Sequence, residues 1–112
     1  MSQSKDLVAA SATSMILSIV SRGETYGYAI IGEIRDVSGG EIEWTDGMLY
    51  PVLHRLERHG LVGSKWGSSE SGRRRKYYRL TKDGRTQLEA ERKRWQIVDD
   101  TLHRIWMKAC RV

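Results

Sequence analysis

Four cations stand side by side in Gly72-Arg73-Arg74-Arg75-Lys76-Tyr77-Tyr78-Arg79-Leu80-Thr81. Adjacent cations repel one another, so such a run is normally solvated, part of a tail, or laid against a polyanion. Here the run is internal, between two stretches that read as strands. A hairpin that holds cations outward is suited to gripping a phosphate backbone. Alternate strand residues point to opposite faces, so Arg73, Arg74, Arg75 and Lys76 cannot all reach one backbone. Arg73 and Arg74, nearest the tip, are the first candidates. Lys65, on the preceding strand, adds a further cation.

A second set of residues lies in the helical stretch before the hairpin. Thr45 and Met48 stand near its leading end. Tyr50 and His54 are four apart and therefore share one face. A helix presenting such side chains can meet base edges with its first turn and phosphates farther along. The bland alternative is an amphipathic surface helix, and the neighbouring cationic hairpin favours the first reading. Tyr26 and Tyr28 open the helix before it, where tyrosine hydroxyls and a helix N-terminus suit phosphate oxygens. Tyr26 is the expected contact and Tyr28 an expected core residue.

Other chemistry is poorly supported. His54, His59 and His103 are scattered, without partners at metal-ligand spacing. No glycine-rich phosphate loop follows a strand, and no nucleophile sits in a recognisable triad sequence. The expectation is a protein that is not an enzyme and needs no cofactor. Cys110 is the single cysteine, which rules out an internal disulfide and suits a reducing compartment. The net charge of +5 favours an acidic partner such as nucleic acid. The apolar stretch Leu7 to Val20 is interrupted by hydroxyl residues and is too short to span a bilayer. A cytoplasmic protein with no membrane partner is expected.

The elements that must position these residues follow from periodicity. With 112 residues the chain suits one domain-sized unit. Apolar positions Val8, Ala12, Met15, Ile16, Ile19 and Val20 recur at helical spacing up to about Ser21. A second helix runs from Tyr26 to Val37, capped by Thr25, with Ala29, Ile30, Ile34 and Val37 as its apolar stripe. Glu41 to Trp44 reads as a short strand or extended connector. A third helix runs from Thr45 or Asp46 to Arg58, capped by Thr45, with Pro51 disturbing its first turn. Strands at 61–66 and 75–80 flank a flexible hairpin tip. A last helix starts after Thr81. Its residues Trp95, Val98, Leu102, Ile105 and Ala109 follow a three-four heptad spacing, which calls for a partner helix, most simply from a second copy. Trp44, Trp66 and Trp106 read as core or interface residues. The order is helix, helix, helix, strand, wing loop, strand, long helix: a winged helix-turn-helix, mainly α with a small β-hairpin.

Four segments carry a specific resemblance. Tyr26-Gly27-Tyr28-Ala29-Ile30, Leu49-Tyr50-Pro51-Val52-Leu53-His54-Arg55-Leu56-Glu57, Gly60-Leu61-Val62 and Gly72 to Thr81, with Gly84 after them, closely resemble the PadR-type transcriptional regulators. The resemblance covers roughly Leu7 to Trp106. It implies a DNA-binding domain over residues 1–81 and a dimerisation helix over 82–112 that packs with helix 7–21 of both subunits. It further implies a homodimer that binds a pseudo-palindromic operator, usually to repress. The single C-terminal helix is similar to that of the compact, multidrug-sensing subgroup. There a tryptophan of the last helix faces its symmetry mate across a pore that takes planar aromatic effectors. Trp95 falls at the matching place, and Val98, Asp99, Val8, Ala12 and Met15 are the expected neighbours. Met48 departs from the threonine or serine common at that position. A reading from another class is a winged-helix module that holds an acidic protein.

Overall fold

The computed structural model describes residues 5–110. Four helices and a three-stranded sheet follow in the order α1 (Lys5–Val20), β1 (Thr25–Tyr26), α2 (Gly27–Val37), α3 (Asp46–Arg58), β2 (Val62–Ser68), β3 (Arg74–Leu80) and α4 (Lys82–Cys110). The sheet is antiparallel with strand order β1-β3-β2.

The core forms where the apolar stripes meet. Ile16 and Leu17 of α1, Ile30 of α2 and Leu49 and Leu53 of α3 are fully enclosed, as is Tyr78 of β3. Helix α1 packs against α2, α3, α4 and β3, so it is the central element. Fully burying side chains of this size stabilises by about 1.5–3 kcal/mol each before entropy is counted. The stripe expected on α2 is shorter than its spacing predicts. Ile30 and Ile34 are buried, but Val37 is 79% exposed because nothing among the described residues covers the last turn.

Three local expectations change. Thr25 does not cap α2. Its backbone is drawn into β1 opposite Tyr78, and Tyr26 becomes the N-cap residue. Thr45 is the N-cap of α3 in backbone terms only: its carbonyl accepts from the Met48 and Leu49 amides, while its side chain makes no capping bond. Glu41 to Trp44 forms no strand. Trp44 anchors that connector in the core, and the Ser38 hydroxyl accepts from the Ile42 amide at 2.9 Å. Helix α3 is continuous through Pro51. The missing amide falls opposite the Gly47 carbonyl, near enough to the start for the helix to tolerate it.

The hairpin is longer than its sequence suggests. β2 and β3 pair from Val62–Leu80 out to Ser68–Arg74, leaving a tip of residues 69–73. That tip is organised. The Ser69 amide donates to the Arg73 carbonyl at 2.8 Å and the Gly72 amide to the Ser69 carbonyl at 2.9 Å. Gly72 has φ of 82°, a conformation that favours glycine.

Thr81 joins the sheet to α4. Its hydroxyl donates to the Gly60 carbonyl at 2.6 Å and accepts from the Gly84 amide at 2.9 Å. Gly84 is buried, and a Cβ there would run into the Leu61 carbonyl. Helix α4 is 29 residues long, about 44 Å at the usual rise. Its start is tied into the core by Leu88 and by a hydrogen bond from Ser14 to Glu91 at 3.1 Å. From Gln96 to Cys110 every residue is exposed.

Candidate nucleic-acid interface

Strand register sorts the basic run into two faces. Opposed residues of an antiparallel pair share a face. Lys76 is opposite Trp66 and Tyr78 opposite Ser64, so Arg74, Lys76 and Tyr78 share a face with those two. Tyr77 is opposite both Lys65 and Tyr26, so Arg75 and Tyr77 lie on the other face with them.

On the first face a groove of about 560 Å³ opens between the wing, α3 and the start of α2. It brings together Tyr50 and His54 of α3 with Arg73, Arg74 and Lys76 of the wing, and Tyr26 and Arg75 at its border. Tyr50 and His54 lie side by side, with ring centroids 6.3 Å apart. The Tyr50 hydroxyl rests on the backbone of Gly27, where any Cβ would collide with it. Glycine therefore lets α3 approach the start of α2.

The cations differ in freedom. Arg73 and Arg74 are exposed, and the Arg74 guanidinium lies 4.8 Å from the centre of the Trp66 ring. Arg75 stacks on Tyr26 at 4.1 Å, and Tyr26 in turn meets Tyr77 edge-on at 5.7 Å. Lys76 is committed inward: its Nζ lies 3.4 Å from Glu57 of α3, with the side chain only 28% exposed. Lys65 pairs with Glu24 at 3.3 Å on the far face. Thr45 and Met48 sit outside the groove, exposed at the leading end of α3.

Glu57 is the hub that joins helix to wing. The Ser64 hydroxyl donates to one of its oxygens while Lys76 sits beside the other. The Ser64 hydrogen bond, with Lys76 adding to it, holds the Glu57 carboxyl below its ordinary 4.5 despite the opposing effect of burial. Beneath them, burial and then the Glu57 charge push the Tyr78 phenol up to about 12. Its hydroxyl has no hydrogen-bond partner among the described residues.

An exposed leading end on α3, a turn into α2 closed at a glycine, and a wing with outward arginines make a winged-helix DNA-reading arrangement. Comparison with known proteins gives the same answer. Residues 16–90 match the transcriptional regulator PadR-like family. The chain belongs to the PadR-like family of transcriptional regulators. A PadR-like transcriptional regulator from Bacillus cereus superposes with a TM-score of 0.80 at 27% identity, covering 91% of this chain and 97% of that one. A transcriptional regulator from Clostridium thermocellum gives a TM-score of 0.80 at 28% identity, covering 89% and 97%. The transcriptional regulator YqjI of Escherichia coli is 28% identical over 79% of this chain, which spans 41% of YqjI. PadR-like regulators are not enzymes. No described helix is long and apolar enough to cross a membrane.

For a PadR-like chain, the residues expected around an effector divide sharply. Val8 and Ala12 are already enclosed by the chain's own core and offer no wall to a ligand in this protomer. Met15 is half-buried, Trp95 half-buried, and Val98 and Asp99 exposed along α4. Two groove residues escaped the sequence reading. Tyr28, expected in the core, is 78% exposed, and Trp66 is 59% exposed. Both line the groove. Tyr28 could have been found from its place two residues before Ile30, on the far side of the α2 stripe. Trp66 could have been found by pairing the strands symmetrically about the tip.

Proposed function

We propose that the protein is a homodimeric, ligand-responsive repressor that binds a pseudo-palindromic operator in the cytoplasm. The observation that carries the reading is the groove joining α3 to the wing arginines. Thr45 and Met48 would meet base edges in the major groove, and Arg73 and Arg74 would hold the backbone beside it. Arg75 and Tyr26 would act as a stacked pair at the border. Lys76 would shape the wing through Glu57 rather than neutralise a phosphate. Lys65 would lie away from the track. A gel shift on the DNA upstream of its own gene, at near-physiological salt, tests this. Arg73→Ala/Arg74→Ala should abolish the shift at concentrations where the parent protein binds fully, and unchanged binding would refute the assignment.

The reading as a dimer is supported by α4. Val98, Leu102, Ile105 and Trp106 are exposed along one side of a helix with no cover among the described residues. An antiparallel pair centred between Trp95 and Val98 sets Ile105 of each copy against Leu88 of the other. Leu88 borders a second groove, of about 830 Å³, lined by Met15, Ile19, Ile34, Val37 and Ile42. Seating a second copy there would cover Val37 as well as the seam. It would leave Trp95, Val98, Asp99 and Met15 around the two-fold axis, where a planar aromatic effector would stack. Such a ligand acts only through unequal affinity for two spacings of the recognition helices. Trp95 fluorescence, in a variant without the other three tryptophans, reads effector binding directly.

A further inference from the structure

The wing groove holds more aromatic surface than duplex binding explains. In a duplex the bases are stacked on one another, and the backbone offers phosphates and sugars. Cations and tyrosine hydroxyls can meet those, but neither contact uses an exposed ring face. Yet Tyr28, Tyr50 and Trp66 border this groove together with Arg73 and Arg74. Two of the rings are largely exposed, although large aromatic side chains normally bury their area. The Arg74 guanidinium already lies over Trp66, so one wall combines an aromatic face with a positive charge. Tyr78 belongs to the lining too, fully enclosed, and its hydroxyl lacks a partner among the described residues. The volume of about 560 Å³ suits a small molecule.

We infer that this groove is a second ligand site, for a small planar aromatic anion of the mononucleotide kind, and that this ligand and DNA exclude one another. The base stacks against Trp66 and Tyr28, since every base has a π-face and such stacking tolerates any sequence. The phosphate meets Arg73 and Arg74, whose guanidiniums match its oxygens in a bidentate way. The site differs from the one proposed at the dimer axis in place and in action. The axial ligand changes helix spacing, whereas this one occupies the DNA track itself. The exclusion rests on the DNA-binding reading; the binding does not.

The test uses the full-length protein, AMP as the probe, and ribose 5-phosphate and adenosine as controls that keep only the anion or only the ring. Calorimetry without DNA should show AMP binding, with each control weaker by about tenfold or more. Trp66→Ala should weaken AMP by a similar factor. Tyr28→Ala, a change at a side chain with little packing, serves as the second variant should Trp66→Ala fold poorly. In anisotropy with labelled upstream duplex, AMP should displace DNA at concentrations where ribose 5-phosphate at matched ionic strength does not. Equal displacement by ribose 5-phosphate would mean charge competition alone and would overturn the proposal. So would AMP binding that survives both aromatic substitutions, or no AMP binding at all. If no duplex binds, the operator reading falls with the exclusion, while tryptophan-dependent AMP binding in calorimetry still upholds the site.

Discussion

The sharpest prediction concerns which wing cations neutralise phosphate. Each phosphate contact to a duplex contributes about −0.9 to the slope of log K against log salt. Arg73 and Arg74 are exposed, whereas Lys76 sits beside Glu57 with its charge already answered. In a dimer, Arg73→Ala/Arg74→Ala removes two contacts from each protomer. The slope should therefore become shallower by about 3.6. Lys76→Gln should change it by well under one per protomer, although affinity can fall because the wing loses its tie to α3. The assay is fluorescence anisotropy on upstream duplex over a range of salt, with both variants checked for native melting. Two results would refute the reasoning: an unchanged slope in the double arginine variant, or a loss of about 1.8 on substituting Lys76 alone.

Other predictions concern the fold that carries this site. The Glu57 carboxyl is held below 4.5 by Ser64 and Lys76, so its contribution is present above the unfolded value and lost as pH falls through the folded one. Chemical denaturation from pH 6 down to 3 should show a fall in stability that Glu57→Gln lacks. The Tyr78 phenol is pushed up to about 12, so its neutral form stabilises the fold up to the ordinary value of 10 and the contribution fades from there towards 12. In an ultraviolet titration of the five tyrosines, one should ionise last, and Tyr78→Phe should remove that step. Gly84→Ala forces a Cβ against the Leu61 carbonyl and should cost about 1–3 kcal/mol, seen as a melting point lowered by several degrees. Leu102→Asp/Ile105→Asp alters only exposed positions of α4. It should leave a folded monomer in sedimentation, with operator affinity lost.

How much of this could be read from the chain depends on what sets each feature. The helices, the wing and the Thr81–Gly84 start of α4 follow from local pattern: apolar spacing, glycine stops, a capping hydroxyl. The errors come where a partner elsewhere in the chain decides. Thr25 looked like a cap because the next residues are helical, but Tyr78 claims its backbone for a third strand. Tyr28 looked like core because it is large and apolar in part, yet it lies on the wrong side of the Ile30–Ile34 stripe. Four adjacent cations looked equivalent apart from strand alternation. Register then gives Lys76 to Glu57 and Arg75 to Tyr26, and leaves Arg73 and Arg74 exposed, with Arg74 over the Trp66 ring. Neither partner adjoins the run in sequence, since Glu57 lies in the last turn of α3 and Tyr26 is the N-cap of α2. The β2–β3 register also sets Trp66 on the face of Arg74 and Lys76, while Tyr28 reaches the groove from α2. A one-residue slip of β2 on β3 would turn Trp66 and Arg74 to opposite faces and break up that wall of the groove.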